Sequence, residues 1–298
     1  MAMDVTTTAG FSEAPPKMSE WRRFVRVFFQ RRIVIFGLLV LIILGLTAIF
    51  ANQLAPYDPY KQNLNNILQH PSREHLLGTD PIGRDTLSRL IYGTRTALTV
   101  GFVSVSIATV IGVMLGILAG YFGGIINMLI MRFTDILMPF PMIVLALLIA
   151  AVLGGGIQNV ILALGIATIP GYIRIMCGMA LSLKQNDYIL AERAMGASHG
   201  RIMFFHILPN AIAPIIVVVT LQLGFLILSE AGLSFLGIGI KPPGAAWGAM
   251  VNEGYRYLVK IPVLSFAPGA AIMLVVFAFN IVGDALRDAL DPRLRGLI

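Results

Sequence analysis

Charge is scarce in this chain. Only 12% of its 298 residues are Asp, Glu, Lys or Arg, while 57% are hydrophobic and the mean hydropathy is +0.83. A soluble domain carries about 25% charged residues, so lipid must be part of the solvent around this one. Cysteine is nearly absent. Cys177 stands alone, which excludes an internal disulfide and a cysteine zinc cage. The four histidines, His70, His75, His199 and His206, form no i, i+4 pair with acidic support of the kind a helical zinc site uses. No lysine follows a glycine anywhere, which excludes a Walker A loop and P-loop ATP hydrolysis by this chain. Gly196-Ala197-Ser198-His199-Gly200 spells G-x-S-x-G, but a nucleophile elbow needs a strand before its serine. The preceding Tyr188–Met195 is rich in helix formers, so the match reads as coincidence. The net charge of +7 is read as an excess of Lys and Arg on cytoplasmic loops, not as a nucleic-acid footprint.

What the chain has instead is long uncharged runs. A spanning helix needs about 20 apolar residues. Ile33–Ala51 supplies one run. Thr96–Met131 is too long for one span and turns at Gly123-Gly124, which places a span over 97–121. Ile136–Ile173 is divided by Gly154-Gly155-Gly156 into a span ending near Leu153 and another starting near Ile157. A fifth span is expected over Ile212–Leu228 and a sixth over Ile261–Gly283. Continuous runs of this kind specify helices rather than the alternating strands of a membrane barrel. The expected fold is all-α and polytopic, with six transmembrane helices.

With the N-terminus inside, the cytoplasmic segments hold 14 of the 22 Lys and Arg, so both termini are expected inside. The organisation is then a cytoplasmic segment 1–32, a first helix 33–51, an external loop 52–95, a five-helix membrane domain 96–284 and a cytoplasmic tail 285–298. One sizeable inside loop spans about 182–206. The basic N-terminal run serves orientation and contact with anionic lipid. Arg132 and Asp135 sit three apart, where they can pair on one helix face, and Arg174 can snorkel. No ionisable residue lies near a midplane as a proton or ion relay. That counts against a secondary transporter or channel, the main alternative, as the lack of a catalytic constellation counts against a membrane enzyme.

The inside loop holds the most informative segment, Asp187 through Ser198. Asp187 is a candidate N-cap and Gly196 a C-terminal glycine. Ser198 caps a second short helix to Phe205, and Pro209 starts the next span. The result is a helix–glycine–helix that either rests on lipid or docks a cytoplasmic partner. Ala191, Ala194, Gly196 and Ala197 leave room for another protein's backbone.

This segment resembles the E-A-A-x3-G-x9-I-x-L-P loop of ABC-importer permeases. Gly196 and Leu208-Pro209 keep the spacing and Ala191 keeps the first alanine. Leu190, Glu192 and His206 stand where the family has Glu, Ala and Ile. Gly78-Thr79-Asp80, Gly83-Arg84-Asp85, Ser88-Arg89, Gly93 and Arg95 resemble the G-T-D-x2-G-R-D-x2-S-R-x3-G-x-R stretch of the dipeptide/oligopeptide permease subfamily, specifically its C-type subunit. Ala55–Pro59, Leu233–Gly237 with Pro242-Pro243 and Trp247-Gly248, and Phe279–Arg293 extend the likeness over roughly residues 20 to 296.

The resemblance implies a permease subunit with no cofactor of its own in the cytoplasmic (inner) membrane of a prokaryote. It implies four partners: a homologous B-type permease, two cytoplasmic ATPase subunits that use ATP, and an external solute-binding protein. It also implies that the 187–205 loop, through Asp187, Ala191, Glu192, Arg193, Ala194, Gly196, Ala197, Leu208 and Pro209, is a coupling helix seated on an ATPase.

Other residues carry readings of their own. Leu87, Leu90 and Ile91 share one helical face. The stretch 80–95 is therefore expected as a surface helix on the outer leaflet, or as a lip that meets the binding protein or sister permease. Gly112, Gly116, Gly120 and Gly124 recur every four residues, a stripe for close helix packing or for lining the substrate path. Pro139, Pro141, Pro170 and Pro214 can bend their spans. Gln222 and Glu230, placed at the outer end of the fifth span, are polar candidates for the path or for an interfacial hydrogen bond.

Overall fold

The computed structural model of the protein describes residues 20–290. Twelve α-helices follow one another among these residues: α1 Glu20–Phe28, α2 Ile33–Ile49, α3 Ala51–Leu54, α4 Thr86–Phe122, α5 Gly124–Leu137, α6 Met142–Leu153, α7 Ile157–Leu183, α8 Asp187–Ala194, α9 His199–Arg201, α10 Leu208–Phe235, α11 Trp247–Tyr255 and α12 Val263–Leu290. A single isolated bridge, Thr79 to Asp85, is the only β pairing among the described residues. Residues 1–19, with Lys17 of the basic run, and the Asp291–Arg293 end of the C-terminal motif lie outside them.

Four helical runs are long and apolar enough to cross a membrane by themselves: 86–122, 157–183, 199–235 and 263–290. Two bent pairs bring the number to as many as six: α1 with α2, at 92°, and α5 with α6, at 88°. The second expected span starts well before residue 97. Asp85 caps α4, accepting the Ser88 N–H, and the helix then runs 37 residues without a break. At 1.5 Å per residue that is about 55 Å, against about 30 Å of hydrocarbon. The stretch 86–95 is therefore the first turns of a spanning helix, not a separate surface helix. α4 stops where Gly123 and Gly124 take positive φ (69° and 50°), a turn no β-carbon would favour.

The third span is broken. Pro139 and Pro141 interrupt the chain between α5 and α6, and neither half reaches across a bilayer alone. Pro170 and Pro214, in contrast, lie inside unbroken helices. The fifth span is longer than 212–228, because α9 leads through a π-turn at Ile202–Ile207 straight into α10. Asp135 does not pair with Arg132 on its own helix. It accepts a hydrogen bond from Arg174 of α7, with both side chains half exposed.

The core is a seam between α4 and α7. A β-carbon on Gly112 would lie 2.4 Å from Tyr172 Cβ. On Gly116 it would lie 2.6 Å from Met176 Cβ, and on Gly120 2.6 Å from Ala180 Cβ. Real side chains cannot approach that closely, so glycine sets the helix separation here. Gly124 lies beyond the seam, facing open space. Around the seam Val100, Ala108, Leu164, Ile173, Leu223, Ile227 and Phe279 form the main buried cluster. At the N-terminal end α1 folds back on α12, burying Val27, Phe28 and Val34 against Ala285 and Ala289.

The seam yields a prediction. Gly116→Ala is expected to cost about 1–3 kcal/mol through overpacking and to lower the thermal midpoint in detergent. Gly178→Ala, on an open face of α7, should raise it slightly, since alanine favours helix over glycine by roughly 0.5–1 kcal/mol. Equal midpoints for the two would contradict the seam.

Candidate functional site

The two motif segments lie at opposite ends of α4. At its N-terminal end, Asp80 closes a tight turn. Its Oδ1 accepts the N–H groups of Ile82 (3.0 Å) and Arg84 (2.9 Å), and its carbonyl accepts from Gly83. Its Oδ2 accepts from both Arg84 Nε and Arg89 Nη1. The same two guanidiniums reach across to Glu253 of α11, Arg84 Nη2 at 3.0 Å and Arg89 Nη1 at 3.1 Å from Oε2. Two cations thus face two carboxylates. Asp80, Arg84 and Arg89 are each no more than 5% exposed. Beside them Asp85 Oδ2 accepts from the backbone and hydroxyl of Ser88 at 2.7 Å, and its Oδ1 lies 2.8 Å from His75 Nδ1.

The remaining motif residues fix the backbone around this cluster. Thr79 Oγ1 donates to the Asn66 carbonyl and accepts from Gln69 N–H. Gly78 and Gly83 take φ of +74° and +75°, and a β-carbon on either would collide with the carbonyl of Gln69 or Asn63. Gly93 makes room for the indole of Trp247, which donates to the Leu90 carbonyl at 3.0 Å. Arg95 donates to Ala48 and Ile49 carbonyls, tying α4 to the end of α2. Burial is the reverse of the amphipathic expectation: the charged residues are inside, while Leu87, Leu90 and Ile91 are only partly covered. The charges pair with one another, which offsets part of the desolvation cost of burying them.

Glu253 is the member that sequence reasoning missed. Burial pushes its carboxyl up from the ordinary 4.5, against the pull of Arg84 and with the like charge of Asp80 adding to the rise. A raised acid pKa adds stability below 4.5 and loses it as pH rises through the folded value. The available signal was stoichiometric: two buried arginines need a second carboxylate.

At the other end of α4, α8 is a short, mostly exposed helix. Asn186, not Asp187, is its N-cap; Asp187 opens the first turn, where a negative charge suits the helix dipole. Gly196 closes it at φ +84°. Its N–H donates to Arg193 O at 3.1 Å, and Ala197 N–H donates to Glu192 O at 3.0 Å, the paired bonds of a Schellman stop. Ser198 caps α9, accepting from Arg201 N–H. The serine of the G-x-S-x-G match is thus a helix cap preceded by a helix, not a strand-borne nucleophile.

One residue of α8 is buried: Ile189, packed with Ile202, Ile207, Tyr121 and Met176. Around that peg, Lys184 Nζ donates to Gly120 O at 2.8 Å and the Tyr121 hydroxyl lies 2.8 Å from His199 Nδ1. Glu192 and His206, two of the three departures from the family pattern, lie 3.7 Å apart and face each other. Ala191, Arg193, Ala194 and Gly196 stay exposed, and Ala197 is partly covered. Leu208 packs beneath them, while Pro209 is exposed in the first turn of α10.

Such a bundle of long apolar helices, with polar structures at both ends, defines a membrane-spanning subunit. Residues 112–296 match the family model described as binding-protein-dependent transport system inner membrane component. Residues 19–71 match the N-terminal TM domain of oligopeptide transport permease C. The chain is 43% identical to the dipeptide transport system permease protein of Alkalihalophilus pseudofirmus over 93% of this chain and 91% of that one. It is 44% identical to the glutathione transport system permease protein of Pectobacterium atrosepticum over 92% and 90%. Its fold is similar to that of the MetNI methionine ABC transporter in an inward-facing conformation, with a TM-score of 0.53 and 21% identity over 68% of this chain and 96% of that one. The chain belongs to the family of binding-protein-dependent transport system inner membrane components. It is a multi-pass, non-catalytic permease subunit of an ABC importer, and such subunits work with further permease, ATPase and binding-protein subunits.

Breaking the buried cluster has a stated cost. Arg89→Met leaves Asp80 and Glu253 facing Arg84 alone and is expected to cost about 3–5 kcal/mol, read as a lower thermal midpoint in detergent. Arg73→Met, on an exposed loop, should leave the midpoint where it is. An unchanged midpoint for Arg89→Met would contradict the role assigned to the cluster.

Proposed function

We propose that this subunit forms half of the translocation pathway for di- or oligopeptides or a closely related small solute, and takes its driving force through α8. The dipeptide and glutathione permeases it resembles support the solute class. The observation that carries the coupling role is the mounting of α8. Its outer face is exposed, with Ala191, Ala194 and Gly196 set among the larger Tyr188, Leu190 and Met195, while Ile189, Lys184, Tyr121 and His199 fix it to the ends of α4, α7 and α10. A push on α8 then moves the bundle instead of bending a loop. In this reading two cytoplasmic ATPases hydrolyse ATP, one of them receives α8, a homologous B-type permease supplies the other half of the path, and a binding protein delivers solute at the opposite end. The chain itself uses no cofactor. Both termini lie in the cytoplasm, as the Lys and Arg bias favours.

Gly196→Arg tests this. No heavy atom lies within 4 Å of the site of its β-carbon, and the left-handed backbone costs an L-residue about 1–2 kcal/mol, so the protein should still reach the membrane. In the reconstituted complex, solute uptake is expected to fall while ATP hydrolysis by the partner subunits continues. Wild-type uptake would rule out α8 as the coupling element.

A further inference from the structure

The break between α5 and α6 is the least regular backbone in the spans. Pro139 and Pro141 offer no N–H, so the helical ladder stops at Met138 N–H to Thr134 O, and Phe140 N–H turns back to Leu137 O at 3.2 Å. Non-helical backbone at membrane depth is tolerated only where protein buries it or a water-filled cavity meets it. This chain does not bury it: Met138 and Phe140 are 41% and 47% exposed. A cavity of about 370 Å³ opens there instead, walled by the break, by α7 around Pro170 and by α10 around Gln222. Pro170 is the midpoint of α7 and Gln222 lies near the midpoint of α10, each about 20 Å from its helix ends. The cavity is therefore at mid-depth. Gln222 was expected near the outer end of its span; the longer α10 moves it to the centre. Glu230 is buried at 1% and accepts the Ser234 hydroxyl at 2.7 Å, so it faces protein.

No Asp, Glu, Lys or Arg lines the cavity. Its polar side chains are Thr168, Tyr172 and Gln222. Thr168 spends its hydroxyl on the Leu164 carbonyl at 2.6 Å, and Tyr172 is 3% exposed. Gln222 is partly exposed to the cavity and makes no side-chain hydrogen bond among the described residues. A primary amide in a dry apolar site is costly to leave unpaired. Its two N–H donors and one carbonyl acceptor are the complement of a peptide unit.

We infer that this cavity is the chain's share of a water-filled subsite at mid-membrane, and that the Gln222 amide hydrogen-bonds the peptide groups of the passing solute. The inference rests on the permease reading above. An uncharged wall holds neither a carboxylate nor an ammonium group tightly, so it lets a zwitterion enter and leave, as conduction requires.

The complete importer in nanodiscs, treated with a water-soluble methanethiosulfonate, tests the cavity. Cys177 is buried at 3% and leaves little background. Gln222→Cys is expected to label at least about tenfold faster than Val110→Cys, 64% exposed on α4 outside the cavity, because thiolate chemistry needs water. Equal rates would overturn the inference. Uptake of dialanine tests the amide. Gln222→Leu should lower uptake about tenfold, a loss of one hydrogen bond worth about 1.4 kcal/mol, with ATP hydrolysis unchanged and Gln222→Asn restoring part of the uptake. Normal uptake by Gln222→Leu would overturn the contact. So would a parallel loss of ATP hydrolysis, the mark of a bond to the sister permease. If the parent complex takes up no dialanine on ATP, the solute assignment above fails, while the labelling rates still decide the cavity.

Discussion

The close approach of α4 to α7 at Gly112, Gly116 and Gly120 is the constraint on which the rest depends. In lipid there is no hydrophobic force between helices, so contact area and backbone proximity must hold them. Three glycines on one face of α4 let α7 settle directly onto its backbone. α7 thereby becomes the fixed wall against which α10 and the broken third span are set. α4 also outruns the bilayer. Its N-terminal end carries the buried ion cluster and its C-terminal end carries Tyr121 and the mounting of α8. One stiff helix joins the two polar ends of the molecule.

The ion cluster shows how a membrane protein tolerates charge near the bilayer. Asp80, Arg84, Arg89 and Glu253 pair with one another through four contacts, although Arg89 Nε stays buried without a partner. Because Glu253 belongs to α11, the cluster also locks the loop before α4 to the loop after α10. Trp247, inserted over Gly93, adds an apolar clamp at the same joint. The end opposite α8 is therefore preorganised, and the regular helical ladder is interrupted elsewhere: at the break near Met138–Pro141, and at the π-turn Ile202–Ile207.

The spans were legible because uncharged runs of this length have one stable outcome in lipid. The helix ends were less so. Arg84, Arg89 and Arg95 look like a boundary in a hydropathy scan, yet they are inside a folded joint, and α4, capped at Asp85, passes straight through Arg89 and Arg95. The motif spacing at 78–95 located the cluster but not its fourth member, since Glu253 is distant in sequence and follows no local pattern. Pro139 and Pro141 announced a bend; its 88° angle and the cavity beside it depend on how α7 and α10 pack, which no local signal carries. The Schellman stop at Gly196 was readable from the glycine alone. The Glu192–His206 facing pair was not, because it needs the π-turn to bring the two together.

The central claim is that α8 is the surface through which force enters. A photo-crosslinker attached to Ala194→Cys in the assembled importer tests it most directly, with Val259→Cys, fully exposed at the opposite end, as the comparison. The account predicts that Ala194 yields an adduct with a cytoplasmic ATPase subunit and Val259 yields none. An ATPase adduct from Val259, with none from Ala194, would contradict it.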